Sequence, residues 1–270
     1  MKQDIDSLIR SYDSSSKNYD DETNTFHHII QEYVTTQNLL FEIGSKTEYK
    51  ILDSGGGTGK YSIMLKKLGF DIELCDISPE SINIARSKII NEGLLLETYI
   101  CNSENTTFSD HSFDMIIMNG GVISYSPEPE KLLREANRLL KPNGVLWFDF
   151  FNSLGWAIEC PDIKYKTDLP FADNKLIQMP DWDYPARIFS QREIEKLLGR
   201  TGFSIKSKYG LVILSNSLPL DTRYSKLSDK ETIDKYCKIE LQLSREKDCI
   251  GSAWSISICA IKLNLSLNNC

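Results

Sequence analysis

Asp53-Ser54-Gly55-Gly56-Gly57-Thr58-Gly59 is the stretch of this 270-residue chain whose backbone alone can do chemistry. It follows the strand-like run YKILDS and opens the helical run KYSIMLKKLG, the place where an α/β sheet offers main chain to a ligand. Glycines at 55, 57 and 59 permit positive φ and remove the Cβ atoms that would hold a ligand off the turn. The residue three after Gly57 is Lys60, so the spacing is G-x-G-x-G, neither the dinucleotide fingerprint G-x-G-x-x-G nor a phosphate P-loop. A second acid, Asp76, closes the next apolar run, FDIELCD, 23 positions after Asp53.

Other groups suit the acceptor side of a reaction. Asp181 and Asp183, in the turn PDWDYP, can attract a cationic amine or accept its proton, with Trp156, Trp182, Tyr184 and Phe189 as apolar walls. His27 or His28 is a potential base for an oxygen acceptor. Metal chemistry has little material: there are three histidines, the adjacent pair points to different sides of a helix, and the seven cysteines form no C-x-x-C pair. The odd, irregular cysteine count suits a reducing compartment, and with no signal-like leader the expected setting is cytoplasmic.

The elements that must position these groups follow from hydrophobic pattern. Short apolar runs alternate with helical stretches from residue 49 onward, which predicts α/β architecture with a parallel sheet and crossover helices. The second helix is well marked: Ser78 caps it, Pro79 takes the first position, and Ile82, Ala85 and Ile89 share a face. FDMIIMN reads as a strand buried on both faces, Leu132, Leu133, Ala136, Leu139 and Leu140 as a helical stripe, KPNG as a turn, and VLWFDFF as a fifth strand. The alternation in SAWSISICAIKL places the last strand at a sheet edge. Composition is that of a folded protein, 41% hydrophobic and 26% charged, and the net charge of -7 disfavours nucleic acid and anionic membranes.

With those residues in place, the chain resembles the class I S-adenosylmethionine-dependent methyltransferases. Their first motif, an acid followed by x-G-x-G-x-G, is matched by Asp53, Gly55, Gly57 and Gly59, and Asp76 stands where an acid accepts both ribose hydroxyls. The resemblance implies further contacts to S-adenosyl-L-methionine: Asn102, in place of the usual aspartate, toward the adenine amino group; Ile77 and Ser103 around the ring; Asn119 toward the methionine part. It covers residues 49–151 strongly. It implies a Rossmann-like fold with a mostly parallel seven-stranded sheet, helices on both faces, an N-terminal helical lid and an inserted cap. Tyr12, Tyr19 and Phe26 of the lid are candidates to close over the cofactor, Tyr19 by direct contact.

The expected organisation is a single domain over 1–270: a lid at 1–48, a cofactor half at 49–151, cap insertions at 152–190 and 217–248, and sheet completion at 191–216 and 249–265. The expected activity is methyl transfer to a small molecule or small peptide, on an amine nitrogen, with Tyr19, His27, Asp181 and Asp183 as catalytic candidates and no metal. Oxygen methylation of a phenol or carboxyl is the alternative within the class. A non-catalytic S-adenosylmethionine-binding or scaffolding protein, and an oxidoreductase, are the alternatives outside it. An Asn-Gly-Gly-Val stretch at 119–122 replaces the aromatic [ND]-P-P-[YF] platform of base methyltransferases, so no nucleic-acid partner is expected. Fold and spacing leave the acceptor and the oligomeric state open.

Overall fold

The computed structural model describes residues 3–159, 175–178, 182–225 and 229–264. Three helices lead the chain: α1 (Ile5–Ser15), α2 (Tyr19–Glu22) and α3 (Phe26–Ile43). β1 (Lys50–Ser54), α4 (Lys60–Lys67), β2 (Asp71–Asp76), α5 (Pro79–Asn91), β3 (Thr98–Ile100) and β4 (Phe113–Met118) follow in alternation. Next come α6 (Val122–Tyr125), α7 (Pro129–Leu139), β5 (Leu140–Asn152), α8 (Ser153–Glu159), β6 (Lys175–Ile177) and β7 (Ala186–Phe189). The chain closes with α9 (Gln191–Arg200), β8 (Phe203–Leu211), α10 (Leu220–Arg223), α11 (Lys230–Leu243), α12 (Lys247–Ile250) and β9 (Ser255–Lys262).

Seven strands form the body of the sheet in the order β3-β2-β1-β4-β5-β9-β8. β9 alone among these seven runs against the direction of the other six, which is the mostly parallel α/β sheet expected. The hairpin β6–β7 is attached at the carboxyl end of β5, where Phe151 and Asn152 pair with Ile188 and Phe189. Alternate residues of each strand divide the core in two. Ile116, Met118, Phe148 and Phe150 pack with Leu132, Leu133 and Leu139 of α7 and with Ile194 and Leu198 of α9. Ile51, Met115, Ile117 and Trp147 pack on the other face with Leu39 and Ile43 of α3 and Leu65 of α4.

The helix bounds agree with their chemistry. Ser78 accepts from the Ser81 amide at 3.0 Å and Pro79 stands at the first position of α5, whose Ile82, Ala85 and Ile89 are buried. α9 is capped likewise by Ser190.

Two expectations change. Leu140 starts a strand instead of ending α7, and the KPNG segment lies within β5, with Asn143 at φ 61 absorbing an irregularity in the pairing with β4. β9 is interior, between β5 and β8, because its serine-bearing face is covered by protein and not by water. The Ser255 hydroxyl lies within reach of the Phe150 carbonyl at 2.9 Å and of Asp149 at 3.2 Å, and Cys259 packs with Trp147, Tyr209 and Leu39. Among the described residues no helix is long and apolar enough to cross a membrane.

Candidate active site

The carboxyl ends of β1, β2, β4 and β5 open into a cavity of about 1320 Å³ roofed by α1, α2 and the start of α3. One end is polar and built on the glycine turn. Gly57, at φ 55, takes a conformation that only glycine adopts freely, and nothing stands within 4 Å of where its Cβ would be. Its amide donates to Asp76 Oδ2 at 2.8 Å, while the Ser78 amide donates to Asp76 Oδ1 at 2.8 Å. A Cβ on Gly56 would lie 2.3 Å from Leu74 and 2.6 Å from the Asp53 carboxyl, so the turn is folded tightly onto β2.

Asp53 is fully buried; Ser62 donates to its Oδ2 at 2.6 Å and its Oδ1 has no partner among the described residues. Burial first, and Asp76 second, push its carboxyl up to about 6. Burial also raises the Asp76 carboxyl, against the amide hydrogen bonds that lower it. Ile77, Asn102, Ser103 and Asn119 line the same end. Asn102 Oδ1 accepts from the Glu104 amide at 2.9 Å, Ser103 is fixed by the Ser54 hydroxyl at 2.8 Å, and Asn119 Oδ1 accepts from Trp147 Nε1 at 2.8 Å. The buried Nδ2 of Asn119 has no partner among the described residues.

The other end is aromatic. Tyr12 meets Trp182 edge-on at 5.1 Å and Tyr125 at 6.1 Å, Tyr125 meets Phe151 at 5.5 Å, and Trp156 and Trp254 stand 5.5 Å apart. His27 packs against Trp254 at 4.8 Å and stacks on Tyr224 at 5.3 Å. Burial holds the His27 imidazole well below its usual range, with His28 and Arg223 adding to the effect; burial and Lys60 bring His28 down to about 4. Both histidines are therefore neutral at neutral pH.

Tyr19 lines the cavity, about a third exposed, and burial with the nearby Asp149 pushes its phenol up to about 12. The roof is held over the polar end by carboxylates of its own. Asp13 accepts from the Ser78 hydroxyl at 2.6 Å and the Glu80 amide at 3.3 Å. Asp20 accepts from Thr58 at 2.9 Å and pairs with Lys88, and Glu32 pairs with Lys60 at 2.8 Å.

Tyr19, His27, Asp53, Gly55, Gly57, Asp76, Ile77, Asn102, Ser103 and Asn119 thus share one cavity. Gly59 does not reach it: at φ 84 it starts α4 and its missing Cβ accommodates Ala85. Asp183 is exposed and off the cavity, and Asp181 lies outside the described residues. Trp156 and Trp182 are walls, but Phe189 is buried edge-on against Phe150 in the α7–α9 core and Tyr184 is buried behind the lining. Phe26 packs on Tyr236 of α11 and not over the cavity. His27 and His28 both reach the cavity, their rings 5.4 Å apart, because the first turn of α3 lies across its wide mouth. Among the described residues no group of three or more His, Cys, Asp or Glu could hold a metal.

Asp149 escapes a reading by motif. It stands mid-strand in β5, 1% exposed, and lines the cavity. The Gly121 amide and the Ser255 hydroxyl reach its two oxygens, each at 3.2 Å, and burial pushes it up to about 6. A signal for it exists in the sequence: an acid within the buried apolar run VLWFDFF is costly unless it serves something.

Comparison with known proteins finds methyltransferases. A family described as "Methyltransferase domain" matches residues 52–148. The ubiquinone/menaquinone biosynthesis C-methyltransferase UbiE of Neisseria meningitidis is 29% identical over 141 residues, 50% of this chain and 56% of that protein. The methyltransferase YodH of Bacillus subtilis is 30% identical over 165 residues, 61% of this chain and 64% of that protein. The chain thus spans little more than half the length of these curated relatives. Among solved structures, Burkholderia thailandensis 1,6-didemethyltoxoflavin-N1-methyltransferase, with its acceptor and S-adenosylhomocysteine bound, superposes over 96% of this chain and 87% of its own. The TM-score is 0.59 and the identity 15%. Residues 52–148 thus match a methyltransferase domain, and this chain's glycine turn, the acid at the end of β2 and the sheet order are similar to those of the class I S-adenosylmethionine-dependent methyltransferases.

Proposed function

We propose that the protein transfers the methyl group of S-adenosylmethionine to an amine nitrogen of a small molecule or small peptide in the roofed cavity. The observation that carries this is the continuity of one cavity from the glycine turn to an aromatic chamber with a buried carboxylate in its wall. The polar end fits the cofactor: Asp76 has acceptor capacity for a ribose, Gly57 leaves open space beside its backbone, and the orphaned Asp53 Oδ1 offers a site for a positive group. Bound cofactor supplies an activated methyl, so that a nitrogen–carbon bond forms as the carbon–sulfur bond breaks and its electron pair stays on sulfur. The chain's own residues align the acceptor, exclude water beneath α1 and α2, and hold the proton that the acceptor sheds.

Oxygen methylation is a second reading, favoured by His27. Its neutral ring lines the chamber with both nitrogens lacking partners among the described residues, and can accept from a phenolic hydroxyl.

The test is incubation with S-adenosylmethionine and parallel sets of aryl-alkyl amines and phenols, with S-adenosylhomocysteine and the methylated product followed by mass spectrometry. Turnover of amines is expected. Turnover confined to phenols selects the second reading, and binding without product from either set overturns both.

A further inference from the structure

The aromatic chamber contains a carboxylate that the protein itself leaves poorly compensated. Charge-assisted hydrogen bonds to a carboxylate run at about 2.7–2.9 Å. The Gly121 amide and the Ser255 hydroxyl stand 3.2 Å from Asp149, with the Gly120 amide beside them, and none of the described lysines or arginines forms an ion pair with it. A buried carboxylate without a cation is expensive, and a partner brought by a ligand removes that cost.

The surroundings favour a positive partner. The cavity is lined by Glu22, Glu32, Asp53, Asp76, Glu104 and Asp149 against two lysines, of which Lys60 is bound to Glu32 at 2.8 Å. Tyr125 and Phe151 line the same cavity, and aromatic rings attract cations. A second, independent observation is His27: it is 1% exposed, lines the chamber, and neither ring nitrogen has a partner among the described residues.

We infer that Asp149 and the surrounding aromatic rings form an ammonium-binding subsite in the cavity that His27 also lines, so that the acceptor enters as a cationic aryl-alkyl amine. This rests on the methyl-transfer reading and narrows it: an acceptor carrying carboxylate or phosphate near its reacting nitrogen is rejected by like charge, and a neutral isostere loses the pairing with Asp149.

Calorimetric titration of the S-adenosylhomocysteine-saturated protein with tryptamine, tryptophol and indole-3-acetate tests it, because the three share one ring system and differ in charge. Tryptamine is expected to bind at least tenfold tighter than tryptophol, and indole-3-acetate not measurably. Asp149→Asn is expected to erase the margin between tryptamine and tryptophol while leaving affinity for S-adenosylhomocysteine within twofold. Equal binding of tryptamine and tryptophol to the wild-type protein overturns the subsite, with no variant needed. So does a variant that loses S-adenosylhomocysteine affinity yet keeps the preference for tryptamine, which would make Asp149 a cofactor ligand. Failure of S-adenosylhomocysteine itself to bind overturns the cofactor reading beneath both.

Discussion

Asp76 and Asp149 are both buried acids on the cavity wall, yet only the first was legible in the sequence. Asp76 is readable because its distance from the glycine turn is set by one βα unit, a local relation that survives without knowledge of the fold. Asp149 becomes a site residue only when β5 is laid beside β4 and roofed by the front helices, and Asp183 drops out for the converse reason, since its exposed side chain lies off the cavity. Replacing Asp76 with alanine removes an acceptor with hydrogen bonds of about 1.5–3 kcal/mol. Calorimetry is therefore expected to show cofactor affinity falling roughly ten- to hundredfold, while Asp183→Ala leaves it unchanged. Titration gives a second expectation. Asp149 is raised from 3.8 to about 6 in the folded protein, so the folded state prefers the proton, and stability is lost as pH rises through that interval. Asp149→Asn removes this penalty and keeps an acceptor for the Gly121 amide. Without ligand it is expected to be more stable than wild type above pH 6, by up to about 3 kcal/mol, with the gain gone near pH 4 in thermal melts.

At the scale of elements, α5 and α9 were readable to within a residue or two because each carries its own cap and apolar stripe. The β6–β7 hairpin was not, since KLI and ARIF are short and lie in a region of little periodicity, and their pairing is decided by β5. The position of β9 was misjudged because alternating serines look like a solvated face, whereas Ser255 and Ser257 are fully buried and Cys259 packs with Trp147 and Tyr209. The front helices are the element on which ligand capture depends. Asp13 and Asp20 tie α1 and α2 to the start of α5, to Thr58 and to Lys88, all beside the glycine turn. Removing both carboxylates, Asp13→Ala with Asp20→Ala, is expected to raise the dissociation rate of S-adenosylhomocysteine several-fold in stopped-flow measurements. Amide exchange across residues 5–22 should accelerate, with the sheet unaffected. Unchanged exchange and release would mean that the remaining contacts, those of Gln3 and Glu32 among them, hold the front helices without these two carboxylates.

For the molecule as a whole, the strand that completes the sheet is the last one, hydrogen-bonded to β5 on one side and β8 on the other. A chain ended before Ser255 leaves both neighbours with bare edges and removes Ile256, Ile258 and Ala260 from the α7–α9 core. It is expected to be recovered unfolded or aggregated by circular dichroism and gel filtration. The front of the chain has the opposite role, because its own partners come from far along the sequence. Gln3 donates to the carbonyls of Ser124 and Pro185 and accepts from Arg187 at 2.8 Å, while Asp13 and Asp20 grip the far end of the same cavity. One continuous run of residues therefore spans both ends of the cavity, so that its opening and closing act on both occupants together. Turnover should follow a compulsory order, the nucleoside seating first and departing last, so that S-adenosylhomocysteine inhibits competitively against S-adenosylmethionine but non-competitively against the amine. Exit should become the slow step whenever the bond-making is fast, leaving kcat sensitive to added viscogen.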